Sequence, residues 1–255
     1  GANIDFDDLE SIEVLRGPIA TVYGNHSGGV IQLFSRDGGG DPQVRGGVIA
    51  GAWGTRKYSV GAEGEAGGVG YLVDGSRFST DGYREHSAAT RDQAFAKVNL
   101  KPDADGKLTL VASALRQRDT EDPLGLTWDT YQRDPRAVEE PALNFNTRKH
   151  IDHKQAGATW DQRFGSGRLQ LVAYGGTRAV TQYQSIPAFV QANPRHSGGV
   201  MDFDRDFHGL GARWIQVFGL GGGALTVAGG VDYDRSQDER RGYENFVGTT
   251  LGVKG

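Results

Sequence analysis

From about residue 43 to the end of the chain, apolar and polar residues alternate with a period of two. In 93–101, Ala94, Ala96, Val98 and Leu100 share one parity, while Gln93, Lys97, Asn99 and Lys101 share the other with Phe95. In 107–114, Leu108, Leu110, Ala112 and Ala114 oppose Lys107, Thr109 and Ser113. Ala156, Ala158, Trp160 and Phe164 oppose His153, Gln155, Thr159, Asp161 and Arg163 in the same way. In 224–234, Leu225, Val227, Val231 and Tyr233 oppose Thr226, Asp232 and Asp234. Alternation of this kind marks β-strands with one apolar and one polar face. The segments 43–53, 57–64, 70–78, 168–178 and 207–218 carry it more weakly, with glycine on either face. About nine strands are expected.

The connections predict how these strands assemble. Tight ones at 65–69, 102–106, 164–168 and 219–223 carry turn residues such as Gly67-Gly68 and Gly221-Gly222-Gly223. Between them lie a short link at 54–56, a medium one at 79–89 and long ones at 118–149 and 179–205. Turns short at one end and long at the other belong to outer-membrane meanders. A soluble β-sandwich binding module, the competing architecture, gives no reason for that asymmetry. Trp160 with Phe164, and Trp214 with Phe218, precede tight turns on the apolar face, as an interfacial girdle requires. The expected fold is all-β, a partial transmembrane antiparallel β-barrel. Ala94, Ala96, Val98, Leu100, Leu108, Leu110 and Ala112 are expected to face lipid.

Composition agrees. Only 37% of the 255 residues are hydrophobic, and there are 40 glycines. A barrel strand needs only one apolar face, so a low average is no obstacle to membrane residence. Four Trp, nine Tyr and eleven Phe argue against disorder. The net charge of −4, from 28 basic and 32 acidic residues, offers no basic excess for nucleic acid. Without cysteine there is no disulfide scaffold, thiolate metal site or cysteine nucleophile. No apolar run approaches the ~18 residues of a membrane helix. The chain opens without Met or a signal peptide and ends on Gly252-Val253-Lys254-Gly255, so it is expected to be an internal piece of a longer protein.

Residues 1–37 read differently. Asp7-Asp8-Leu9-Glu10-Ser11 suggests an acidic helical turn, Ile12 to Arg16 alternates as a strand, and Gly17-Pro18 breaks it. Tyr23-Gly24 and Gly28-Gly29 follow, then a second strand at Val30 to Phe34 and a linker at 38–42. The string Leu9-Glu10-Ser11-Ile12-Glu13-Val14-Leu15-Arg16-Gly17-Pro18, then Tyr23-Gly24, then Gly28-Gly29-Val30-Ile31, closely resembles the end of the plug domain of TonB-dependent outer-membrane receptors and transporters.

The resemblance implies a plug end at 1–37, a linker at 38–42 and the first part of a 22-stranded barrel at 43–255. It also implies active import of a scarce nutrient, most often a ferric siderophore, across the bacterial outer membrane. The partners would be the TonB–ExbB–ExbD energy-coupling complex, whose contact segment is not in this sequence, an extracellular iron chelate or similar ligand, and outer-membrane lipid. No resident cofactor and no enzymatic step are implied. Haem, cobalamin or a redox quinone cofactor remain alternative cargoes, and a passive porin or adhesin an alternative barrel. Gly17, Pro18, Tyr23, Gly24, Gly28 and Gly29 would shape the plug. Glu13 and Arg16 would pair with the barrel wall, having the reach for charge-assisted bonds.

Other motifs fail. Asn25-His26-Ser27-Gly28-Gly29 lacks the first glycine of a nucleophile elbow. Asp202-Phe203-Asp204-Arg205-Asp206 begins like a calcium loop, but Phe207 and Arg213 occupy the positions that need glycine and glutamate. His150 and His153 lack zinc-site spacing, and there is no Walker loop. The remaining candidates lie in or beside the long connections, which at such length are usually functional or disordered. Trp128, Tyr131, Arg133, Arg136, Tyr183, Gln184, Arg195 and His196 are the expected ligand contacts.

Overall fold

A computed structural model of the protein describes residues 9–15 and 30–253. β1 (Leu9–Leu15) and β2 (Val30–Ser35) form an antiparallel pair with Glu13 opposite Gln32. Leu9 to Ser11, expected in a helical turn, belong to β1: paired with β2, this segment gains ladder hydrogen bonds that one isolated turn cannot supply. Arg16, Gly17, Pro18, Tyr23, Gly24, Gly28 and Gly29 lie outside the described residues.

A strap of residues 36–42 leads to the main sheet. Its strands are β3 (Gln43–Ala50), β4 (Arg56–Ala66), β5 (Val69–Thr80), β6 (Ala89–Leu100), β7 (Gly106–Glu121), β8 (Arg148–Phe164), β9 (Gly167–Tyr183), β10 (Val200–Leu220) and β11 (Gly223–Tyr243). Each pairs antiparallel with its sequence neighbour, giving a nine-stranded meander. Four of its turns, at 67–68, 101–105, 165–166 and 221–222, are tight and lie at one end. Gly221 and Gly222 take φ of 44° and 100°, a left-handed backbone open mainly to glycine. Apart from the short turn at 51–55, the other end carries the longer connections: 81–88, 122–147 with α1 (Trp128–Arg133) and α2 (Glu140–Asn144), and 184–199 with α3 (Ala188–Gln191).

The register sorts side chains onto two faces. On one, Val98, Leu110, Ala158, Ala173, Leu210 and Tyr233 stand side by side across β6 to β11. The neighbouring row is Leu100, Leu108, Trp160, Leu171, Ala212 and Val231. All seven residues expected to face lipid lie here, and Phe164 stacks on Trp214 at 6.1 Å near the tight turns. From Phe218 to Leu210, the outward positions of β10, apolar except for Gln216, cover about 27 Å of strand, or ~20 Å after the usual tilt, close to the apolar band of a membrane barrel. Nearer the long connections the same face turns polar, with Arg77, Asp92, Arg116, Asp152 and Asp204.

The strap crosses the opposite face, close to the sheet. A Cβ on Gly38 would fall 1.9 Å from the Tyr71 carbonyl oxygen, so only glycine fits there. Lys97, only 8% exposed, donates to the Ser35 carbonyl at 2.8 Å and pairs with Asp37 at 2.7 Å. Lys107 reaches Asp37 as well, at 2.5 Å. Arg36 pairs with Glu63 at 3.1 Å, and Arg45 bridges Glu63 and Asp74.

Candidate functional site

The longer connections pack into one layer over their end of the sheet. Arg84 is its first staple: the guanidinium donates to the carbonyls of Pro123, Leu124 and Ala137. Arg136 donates to the Tyr83 carbonyl at 3.0 Å and lies over the Tyr83 ring, whose edge meets Trp53 at 5.1 Å. Thr147, 1% exposed, donates to the Asp122 carbonyl, and its own carbonyl hydrogen-bonds His86. Asn245, fully buried, donates to the carbonyls of Phe145 and Gln184, while its amide oxygen accepts from Gly248. Gln191 completes this joint, accepting from the Asn245 backbone and donating to its carbonyl at 3.0 Å.

α1 is built locally. Thr127 caps it by accepting from the Thr130 backbone, and Arg133 sits in its last turn, favourable for the helix dipole. Glu139 accepts from Thr127, and hydrogen bonds from Thr130 and Thr127 hold its carboxyl below the usual range. On top of this turn, Trp128 and Tyr131 stack at 5.5 Å and are exposed.

The expected contacts therefore separate. Trp128, Tyr131 and Arg133 share α1 and open to solvent, and Arg195 is exposed on the connection after α3. Arg136 is committed to Tyr83. Tyr183 is the last residue of β9, with the Arg148 guanidinium 3.6 Å from its ring centre and His150 edge-on, so it fastens the sheet's rim. Gln184 lends its carbonyl to Asn245, and His196 accepts from the Gly198 backbone. Glu13 is exposed and makes no ion pair among the described residues; the strap's contacts run through Ser35, Arg36 and Asp37 instead.

Two further expectations need correction. Residues 200–205 were expected in a connection, as were 179–183, yet both lie within strands. Asp202 and Asp204 share a face of β10, and Arg241 of β11 bonds both carboxylates, filling the space between them with a guanidinium. His150 and His153 sit on opposite faces of β8, so one metal cannot take both. No group of three metal-binding side chains occurs among the described residues.

Sequence reasoning missed Arg84, Thr147, Gln191 and Asn245, whose partners lie far away along the chain. It also missed a run of arginines on the strap face. Arg178 and Arg205 are opposite one another on β9 and β10, and Arg240 follows on β11. Arg205 pairs with Asp238 through two bonds of 2.7 and 2.8 Å, and Arg240 approaches the same carboxylate at 3.8 Å. Arg91 on β6 lies over the Phe78 ring at 5.5 Å.

No protein-family model matches the chain. Solved structures do. The ferric citrate transporter FecA superposes with a TM-score of 0.77 at 20% identity, covering 99% of this chain and 38% of FecA. BauA, the ferric preacinetobactin receptor of Acinetobacter baumannii, gives 0.74 at 14% identity over 96% of this chain and 38% of BauA. The pyoverdine outer-membrane receptor FpvA of Pseudomonas aeruginosa PAO1 gives 0.71 at 15%, covering 95% of this chain and 37% of the receptor. The chain thus has the barrel fold of outer-membrane receptors and spans under two fifths of their length.

Proposed function

We propose that this chain joins plug to barrel in an energy-coupled importer of the bacterial outer membrane. Its residues 1–37 are the end of the plug, 38–42 the linker and 43–255 the start of the wall. The cargo is a ferric siderophore or similar metal chelate captured at the layer of long connections. An inner-membrane complex of the TonB–ExbB–ExbD type supplies the energy. No bond is made or broken. The observation that carries this reading is the strap fastened by Arg36 and Asp37 to the face of the sheet opposite the apolar band. An open pore needs no segment tied across its inner wall. The shared fold of receptors named for ferric citrate, pyoverdine and preacinetobactin supports the cargo class.

The test is uptake of radiolabelled iron chelates by cells whose own receptors are deleted and which express the full-length protein. Saturable uptake abolished by a protonophore is expected. Uptake indifferent to the protonophore would replace this reading with a passive pore.

A further inference from the structure

We propose that the strap face of β6, β9, β10 and β11 holds an anionic chelate rich in carboxylate or catecholate oxygens, through Arg91, Arg178, Arg205 and Arg240. This rests on the importer reading and names the charge of its cargo.

The strongest observation is a contrast between the two faces of the same strands. On the outer face beyond the apolar band, arginines meet acids: Arg77 with Asp92, Arg116 and Arg118 with Asp152, and Arg241 with Asp202 and Asp204. On the strap face at these levels, the cations exceed the acids among the described residues. The register row through Arg178 and Arg205 ends at Asp238, and the next row runs from Arg91 to Arg240. Asp238 is the one carboxylate in the two rows among the described residues, and it already serves Arg205 and Arg240. Arg91 and Arg178 have no carboxylate partner among the described residues.

Arg91 adds a second observation. Its Nε is buried and has no acceptor among the described residues. A buried donor left unmade is costly, and a guanidinium donor more so. An oxyanion presented to it would supply the missing acceptor in the planar geometry a guanidinium favours. The arginines are also held ready. Phe78 lies beneath Arg91, and Phe203 lies within 5.0 Å of Arg205 and 5.3 Å of Arg240, so ring faces support the cations in place. Arg91 is three strand spacings from Arg178, about 14 Å along the sheet. Across the inside of a curved wall, that separation brackets an object of nanometre size. The exposed Trp128–Tyr131 stack, by contrast, has the character of a first landing place and carries no charge of its own.

The experiment uses full-length protein in detergent micelles, with tryptophan fluorescence reporting the binding of defined complexes. The probes are ferric citrate and a ferric tris(catecholate), both anionic, and ferrioxamine B, which is cationic. At least one anionic complex should bind saturably, and ferrioxamine at least about tenfold more weakly, with added salt weakening the anion. Arg91→Gln and Arg178→Gln should each weaken the anion about tenfold, as loss of a charged contact does, while Arg178→Lys recovers part of it. Heat-modifiable mobility checks that each variant is folded. Tighter binding of ferrioxamine, binding of none of the three, or folded variants within twofold of the parent would overturn the assignment. Protonophore-sensitive uptake of ferrioxamine alone would also overturn it but leave the importer reading intact. Anion binding with protonophore-insensitive uptake would remove the importer reading and keep the site.

Discussion

Asn245 is a single side chain on which several connections depend. Its fully buried amide meets carbonyls at Phe145 and Gln184 and an N–H at Gly248. Asn245→Ala should cost about 2–3 kcal/mol, the scale of leaving buried polar groups unmade. The loss should stay local. Hydrogen exchange should quicken in 184–199 and around Phe145 while β8 and β9 keep their protection; unchanged exchange in those connections would show that the joint holds without the amide. The two faces of β7 allow an equally sharp comparison. Leu110 is on the apolar face, whereas Thr109 is on the strap face and donates to Asn99 at 3.0 Å. Leu110→Arg should cost about 2–4 kcal/mol in lipid, while Thr109→Val forfeits one hydrogen bond, about 1 kcal/mol. Refolding into bilayers would measure both, and equal costs would contradict the face assignment. Leu110 was legible from sequence because its neighbours at i±2 share its character. Asn245 was not, since its partners lie 61 and 100 residues away.

Among the elements, the strap has the most definite pH behaviour. Partial burial alone would raise the Asp37 carboxyl, but hydrogen bonds and charge from Lys107 and Lys97 outweigh it and hold it below its ordinary 3.8. A carboxylate lowered on folding stabilises the folded form above its unfolded value and loses that contribution as pH falls through the folded one. The strap should therefore stay fastened at about pH 5 and loosen only below the unfolded value near 3.8. Asp37→Asn should loosen it at every pH. A spin label in the strap would report this, and identical mobility in both proteins at neutral pH would dismiss the latch. Removing residues 125–140 should weaken ligand capture and leave the sheet assembled. It should also loosen the 81–88 connection, because Ala137 and Arg136 fasten Arg84, Glu85 and Tyr83, leaving it held by Pro123, Leu124 and Thr147. Retained affinity would show that the α1 surface takes no part in capture. The strands themselves were readable wherever one face meets an apolar surrounding and the other a polar one. Beyond the apolar band that contrast reverses: Asp202, Asp204 and Asp206 point outward while Phe203 and Phe207 point to the strap face. The start of β10 therefore read as a connection.

At the scale of the whole molecule, strands lengthen from 8 residues in β3 to 21 in β10 and β11. A 21-residue strand extends about 70 Å, far beyond an apolar band of ~25 Å even when tilted. The barrel type was visible in the sequence because tight and long connections alternate, a property of the whole chain that survives errors in any one strand. The lumenal arginines were not, since cations at alternate positions of a strand look the same whether they face water or a ligand.

The same alternation also fixes an order of events in time. Closing the connection of about 26 residues between β7 and β8 costs roughly 2 kcal/mol more in chain entropy than closing a two-residue turn. The β4–β5, β8–β9 and β10–β11 hairpins should accordingly zip first, and the joins across the long connections follow. In pulse-labelled refolding, amides bonded within those hairpins should gain protection before those bonded between β7 and β8. Simultaneous protection of both classes would mean that the bilayer, and not loop closure, sets the pace.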